Sequence, residues 1–190
     1  MLDLAPNNTA EIFAKLSGHD IAVIYEIFSS SNWAPLFEKG LITRVEFRNE
    51  VNKALNTRLT NEEIDEAWNA MLGDLPQDRF LLLSGLRTRF QTFILSNTNE
   101  IHVDAFTDTV AQVAQGDLID EHFDKIYYSH EMGMRKPDLE IFEFVLKSNN
   151  LKPDTTLFID DMLPNIEAAQ ECGIKTVHMK NQHSLFELFG

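Results

Sequence analysis

Polar side chains follow short apolar runs at three places in the second half of the chain. The runs end in Ser96, Ser129 and Asp160, and Asp161 comes directly after the last of them. Two adjacent carboxylates just past a buried run are costly unless a cation lies beside them. Mg²⁺, which prefers oxygen ligands, is the simplest such cation. The sequence therefore predicts a metal site at Asp160 and Asp161.

A second group of residues is suited to an anion. Lys136 lies in the segment GMRKPD, where we place Pro137 in the first turn of a helix and the ammonium near a positive helix end. Ser96 and Asn97 offer a hydroxyl, a side-chain amide and backbone amides to phosphate oxygens. Singly, each residue has an ordinary explanation as a turn residue, a surface charge or a helix cap. Together, a metal, a lysine and neutral donors indicate phosphoryl transfer.

The elements that carry these residues alternate between strands and helices. Such alternation predicts an α/β fold with a doubly wound parallel sheet, in which ligands bind beyond the carboxyl ends of the strands. The predicted strands are 92–96, 125–129, 155–160 and 175–179, and the predicted helices are 80–87, 100–113, 138–149 and 164–172.

The first half of the chain has a helical pattern instead. Capping-box spacing, a polar residue three positions before an acid, occurs at Asn8, Thr43 and Thr60. Apolar residues at helical spacing follow each of them, and residues 8–75 contain no strand pattern. We therefore predict a series of helices over 8–75.

Composition limits the partners. The 190 residues suffice for one core with a small insertion, and the net charge of −14 opposes binding to nucleic acid or to an anionic membrane. A single cysteine suits a reducing compartment. Because no apolar run approaches the roughly 20 residues of a membrane span, and no signal peptide is recognisable, we expect a cytoplasmic protein.

Three segments resemble the second, third and fourth motifs of the haloacid dehalogenase (HAD) superfamily. They are FILSNTN at 93–99, GMRKPD at 133–138 and LFIDDMLPNIEAA at 157–169. Residues 37–47 resemble the small helical cap of phosphatase-like members, and the similarity extends over 2–189. Bacterial hydrolases of the alpha-glucose-1-phosphate phosphatase type are the most similar in character. The resemblance implies an α/β core of 1–7 and 76–190 and a helical cap of 8–75.

The resemblance also implies a role for each motif residue. Ser96 would bind the transferring phosphoryl group, and Lys136 would balance its charge and that of the nucleophile. Asp160 and Asp161 would hold Mg²⁺, with Asp161 as the direct ligand. The catalytic set is thus Ser96, Lys136 and Asp161.

The resemblance to the HAD superfamily also concerns two asparagines and the family's first motif. By resemblance, Asn97 and Asn165 support the phosphate and the lysine. The first motif of the family is a buried strand ending in the nucleophilic aspartate, and it is missing from this chain. Met1 to Ala5 resembles the segment after that motif, which places the nucleophile upstream of Met1, with Asp3 as the only nominal substitute.

These observations predict a Mg²⁺-dependent phosphatase of small phosphorylated metabolites, such as sugar phosphates, that works through an aspartyl-phosphate. One alternative is a non-catalytic protein of the same fold that binds an anion or metal. Another is a 2-haloacid dehalogenase, although Asp160 and Asp161 argue against it because displacement at carbon needs no metal. The sequence contains no signal for an oligomeric state.

Overall fold

The computed structural model describes residues 4–113, 119–180 and 184–189. The chain divides into two compact units, 1–133 and 134–190. The helices and strands of the first unit are α1 (Pro6–Ser17), α2 (Ile21–Ser30), α3 (Trp33–Glu38), α4 (Arg44–Leu55), α5 (Asn61–Asn69), α6 (Asp78–Arg87), β1 (Phe93–Ser96), α7 (Glu100–Val113), β2 (Lys125–Tyr128) and α8 (Ser129–Met132). Those of the second are α9 (Leu139–Ser148), β3 (Leu157–Asp160), α10 (Leu163–Glu171), β4 (Lys175–His178) and α11 (Ser184–Phe189). Short 3-10 turns lie at Ile119–His122 and Pro153–Thr155.

Two of the three predicted capping boxes are confirmed. Ahead of α4, the Glu46 amide donates to Thr43 Oγ1 at 3.2 Å and the Thr43 amide donates to Glu46 Oε2 at 2.8 Å. Thr60 and Glu63 make the same pair of bonds ahead of α5, at 3.2 and 2.7 Å. Each box satisfies amide groups that have no partner within the helix, and so fixes where the helix begins.

The third capping box, at Asn8, is wrong. Helix α1 begins earlier, at Pro6, with Ala5 as its N-cap residue. A proline is favoured in the first turn because its missing N–H would have no helical partner there. Asn8 therefore lies inside the helix, and its Nδ2 donates to the Ala70 carbonyl at 3.3 Å.

The predicted apolar faces of α1 to α5 form the core of the first unit. Phe47, Val51 and Leu55 of α4 are each no more than 1% exposed. Aromatic rings fill the centre, with Trp68 of α5 in contact with Phe47 at 4.9 Å between ring centroids. Residues 8–75 are helical as predicted; the one strand-like contact there is the antiparallel bridge of Leu4 with Leu72.

The turn between α3 and α4 lies directly against the end of β2. Gly40 has a φ of 64°, and a Cβ atom there would collide with the His130 carbonyl oxygen in α8. Only glycine allows so close an approach of two backbones at a positive φ. The helical region of the first unit is thereby held next to the carboxyl end of a strand.

Strands β1 and β2 are parallel neighbours, in register from Phe93 with Lys125 to Ser96 with Tyr128. Their connection runs through α7, as a parallel pair requires a long crossover. Ser96 and Tyr128 therefore end together at one edge. None of the described helices, in either unit, has the length and apolar character needed to cross a membrane.

The second unit repeats this plan on a smaller scale. Strands β3 and β4 are parallel through α10, with Asp160 in register with His178. Phe142 of α9 packs edge-to-face on Phe158 of β3, with ring centroids 5.2 Å apart. The prediction of an α/β fold with parallel strands and a helical region is confirmed. The domain boundaries at residues 7 and 75 stay a prediction.

Candidate functional site

The last residue of β1 and the first residue of the loop that follows it are the predicted phosphate donors Ser96 and Asn97, which are both half-buried. The residue after them is anchored to the end of β2. The Thr98 amide donates to Ser129 Oγ at 2.9 Å, and the same hydroxyl lies 3.0 Å from the Thr98 carbonyl, to which it donates. Ser129 is completely buried, so these bonds are shielded from water. These two bonds fix the Thr98 backbone against Ser129.

Behind the loop lies a buried polar group that the sequence analysis did not identify. Asn99, completely buried, precedes α7, and its Oδ1 accepts the His102 amide at 3.1 Å in the manner of an N-cap. Its Nδ2 lies 3.2 Å from His102 Nδ1. On the other side of the ring, His102 Nε2 lies 3.1 Å from the Trp68 carbonyl.

The His102 imidazole is neutral at physiological pH. Burial lowers its pKa from the ordinary 6.5 to about 4, against the opposing effect of the bond to Trp68. The ring stacks on the Trp68 indole at 5.3 Å between centroids, with 15° between the planes. The sequence offered one signal for this group, an asparagine three residues before a histidine. The other partner of His102, the Trp68 carbonyl, lies 34 positions away and has no such local signal.

In the second unit, Lys136 and Asp160 form a buried ion pair. Lys136 Nζ donates to Asp160 Oδ2 at 2.6 Å, and both residues are 7% exposed. The ammonium also lies 5.3 Å from the centroid of the Phe158 ring. Such a charge-assisted bond in a desolvated position is strong, because little water competes for either partner.

The other Asp160 oxygen is also held. Oδ1 accepts the Met162 amide and Asn165 Nδ2, each at 2.9 Å. Asp160 ends β3 and Asn165 lies in the first turn of α10, so the close succession of strand and helix brings the two together. The resemblance implied that Asn165 supports the lysine, and here its amide binds the carboxylate that binds Lys136.

The segment around Lys136 differs from expectation in one respect. Helix α9 begins at Leu139 with Asp138 as its N-cap, so Pro137 lies in the preceding turn and not in the helix. The Lys136–Pro137 peptide bond is cis. The Lys136 side chain is held by its bond to the buried Asp160 carboxylate.

Asp160 and Asp161 offer carboxylate oxygens, the ligand type that Mg²⁺ prefers. Mg²⁺ binds through one or two carboxylates together with water and substrate phosphate, and does not require a cage of protein ligands. Among the described residues, no three His, Cys, Asp or Glu side chains form a metal-binding group. Asp161 is exposed and directly follows Asp160, whose oxygens both accept protein hydrogen bonds. The pair suits Mg²⁺, with Asp161 as the more available ligand.

The structure thus brings together three of the six residues in the predicted site: Lys136, Asp160 and Asn165. Asp161 adjoins them in sequence, and Ser96 and Asn97 lie together in the first unit. Their assignments as catalytic, phosphate-binding or metal-binding residues stay predictions. The chain is thus an α/β protein whose parallel strands end in polar residues and whose second unit contains a buried lysine and an acidic pair.

Comparison with known proteins identifies the family. A model of haloacid dehalogenase-like hydrolases matches residues 110–179. A HAD family enzyme of Bacteroides thetaiotaomicron, solved as an aspartate-to-alanine variant with magnesium and inorganic phosphate, is 33% identical, with a TM-score of 0.88 over 98% of this chain and 93% of that one. A HAD-like hydrolase of Porphyromonas gingivalis is 27% identical, with a TM-score of 0.85 over 98% and 91%.

A protein of known activity is similar over most of the chain. The D-ribitol-5-phosphate phosphatase of Bacteroides thetaiotaomicron is 28% identical over 181 residues, which are 95% of this chain and 87% of that protein. This chain belongs to the HAD superfamily of hydrolases. By that membership it is an enzyme of the phosphatase or hydrolase type. The finer resemblance to alpha-glucose-1-phosphate phosphatases stays a prediction.

Proposed function

We propose that this protein is a Mg²⁺-dependent phosphatase of small phosphorylated metabolites, most suitably a phosphorylated polyol or sugar. The observation that carries the proposal is the buried Lys136 ammonium, held by Asp160 and through it by Asn165. The similarity to a ribitol-phosphate phosphatase supports the substrate class.

Each residue of the predicted site would have its own role. The Ser96 hydroxyl and the Asn97 amide would donate to phosphoryl oxygens. Lys136 would offset the negative charge of the phosphoryl group, and Asp161 would hold Mg²⁺. The ion, when bound, would neutralise charge that develops on the phosphoryl oxygens.

The attack on phosphorus needs an aspartate ahead of the helical cap. Its carboxylate oxygen would bond to phosphorus while the ester P–O bond breaks and the alcohol leaves; water would then hydrolyse the aspartyl-phosphate to free carboxylate and phosphate. The family places this aspartate at the end of an apolar strand. Asp3, the one aspartate before α1, lies outside the described residues. We propose that turnover requires an aspartate delivered by such a strand.

A pair of extended chains tests the catalytic proposal. An apolar strand of about five residues ending in Asp is fused ahead of Met1, and a matched chain ends the same strand in Asn. Phosphate release from D-ribitol 5-phosphate and from sugar phosphates is measured with Mg²⁺ and with EDTA. We expect turnover only from the Asp chain with Mg²⁺. Equal turnover by the Asn chain would refute the nucleophile, and binding without turnover in either chain would favour a non-catalytic protein.

Thermal unfolding tests the metal assignment separately. Mg²⁺ that binds the folded state at ten times its Kd adds about 1.4 kcal/mol to the free energy of unfolding. Asp161→Asn should abolish this gain with little effect on the metal-free protein, because the side chain is exposed. An unchanged Mg²⁺ response in Asp161→Asn would exclude this residue as a ligand.

A further inference from the structure

A single carbonyl at the end of α5 accepts two side-chain donors. The last four carbonyls of a helix have no partner within it, and that of Trp68 is one of them. It accepts Thr9 Oγ1 from α1 at 3.2 Å and faces His102 Nε2 from α7 at 3.1 Å. Since a carbonyl can only accept, Nε2 carries the proton and His102 Nδ1 must be the acceptor.

The acceptor nitrogen connects the ring to the loop after β1. Asn99 Nδ2 donates to His102 Nδ1, and Asn99 Oδ1 accepts the His102 amide, so both polar atoms of the asparagine are used. Asn99 comes directly after the Ser96-to-Thr98 segment. An unbroken series of hydrogen bonds therefore runs from the end of α5, through one imidazole, to the base of this loop.

The two hydrogen bonds of the His102 ring fix a geometry that apolar packing alone would not fix. His102 is 7% exposed and stacks on Trp68, and an apolar side chain in its place would leave the buried Asn99 Nδ2 without this acceptor. The imidazole instead fixes the distance between two backbones, because its two nitrogens lie on different sides of a rigid ring. On its other side, the loop is held by Ser129.

We propose that His102 is a positioning residue, which joins the end of helix α5 to the loop at Ser96 and Asn97 and thereby holds that loop in its phosphate-binding conformation. The inference rests on the proposed function, because it assumes that this loop binds phosphate. It adds that the affinity for phosphate depends on the contact between this loop and the end of helix α5.

Three variants separate positioning from simple stability. His102→Gln can still donate to the Trp68 carbonyl but cannot also accept from Asn99, whereas His102→Asn can accept from Asn99 but cannot reach Trp68. Thr9→Val removes the other donor to the same carbonyl and leaves the loop untouched. Calorimetry with inorganic phosphate and Mg²⁺ should show about tenfold weaker binding in both His102 variants and binding within twofold of the wild type in Thr9→Val.

The outcomes are distinguishable. Wild-type protein that binds no phosphate would overturn the proposed function. Wild-type binding that all three variants retain, or that Thr9→Val loses equally, would overturn the positioning role alone.

If a His102 variant does not fold, NMR of the unmodified protein decides. The Nε2–H proton of His102 should be visible and slow to exchange, and saturating phosphate should shift its resonance or slow its exchange further. A resonance that phosphate leaves unchanged, in protein that calorimetry shows to bind phosphate, would overturn the proposal.

Discussion

Acid should weaken the first unit through one buried imidazole, that of His102. In the unfolded chain this side chain takes up a proton near its ordinary pKa of 6.5, whereas in the folded protein burial lowers the pKa to about 4. Between these values the unfolded state binds more protons than the folded state, so the free energy of unfolding falls as the pH falls. The loss begins below about pH 6.5 and is complete near pH 4.

The size of the loss follows from the two pKa values. Their difference corresponds to about 3 kcal/mol over the whole range, and to about 2.5 kcal/mol between pH 7 and pH 4.5. This is a large part of the 5 to 15 kcal/mol that stabilises a typical domain. The protonated ring would also lose its acceptor nitrogen, which Asn99 Nδ2 uses.

Urea unfolding at pH 7 and pH 4.5 measures the effect. Carboxylates also titrate in this range, so the informative quantity is the loss in the wild type minus the loss in His102→Gln, which cannot take up the proton. We expect a difference of about 2.5 kcal/mol, and Thr9→Val should keep the full pH dependence of the wild type. Equal losses in the wild type and His102→Gln would refute the reasoning.

Two further substitutions test the buried contacts. Lys136→Met should lower the free energy of unfolding by about 3 to 5 kcal/mol, because it leaves the Asp160 carboxylate buried without its cation, and Asp160→Asn in the same chain should restore part of the loss. Denaturant unfolding measures both, and a Lys136→Met protein as stable as the wild type would show that water reaches the pair. Gly40→Ala should cost about 2 to 4 kcal/mol, because its Cβ would meet the His130 carbonyl, whereas Gly18→Ala, also at positive φ but in open space, should cost only about 1 kcal/mol. Similar costs at the two glycines would argue against the close backbone approach.

Local patterns predicted most of the elements. Helix α7 spans 100–113 as the periodicity indicated, and the predicted strands lie within two residues of β1 to β4. The largest strand difference is at β3, which begins at Leu157 because Pro153–Thr155 forms a 3-10 turn. The capping-box predictions were right at Thr43 and Thr60, where the side chain bonds its own helix. The prediction was wrong at Asn8, whose side-chain amide donates to a carbonyl 62 positions away.

The site was predictable as a set of residues but not as a set of contacts. From the sequence, we place the Lys136 ammonium near a positive helix end, and a surface charge is its ordinary explanation. It is buried instead, because Asp160, 24 positions later, lies 2.6 Å from its ammonium. Sequence motifs identify which side chains matter to a family, whereas burial and pairing depend on distant residues that no local pattern contains. His102 was overlooked for the same reason.

The Asp160 carboxylate has a consequence for ligand binding. With three donors on two oxygens, it immobilises the Lys136 side chain, which would otherwise rotate about four bonds. Freezing a lysine side chain costs up to about 2 kcal/mol of rotamer entropy, and here that cost falls on folding. An anion that meets this ammonium finds it already ordered. If Lys136 binds the phosphoryl group as proposed, the affinity for that group is not reduced by the disorder of a free lysine, and the ammonium needs no rearrangement before it stabilises charge.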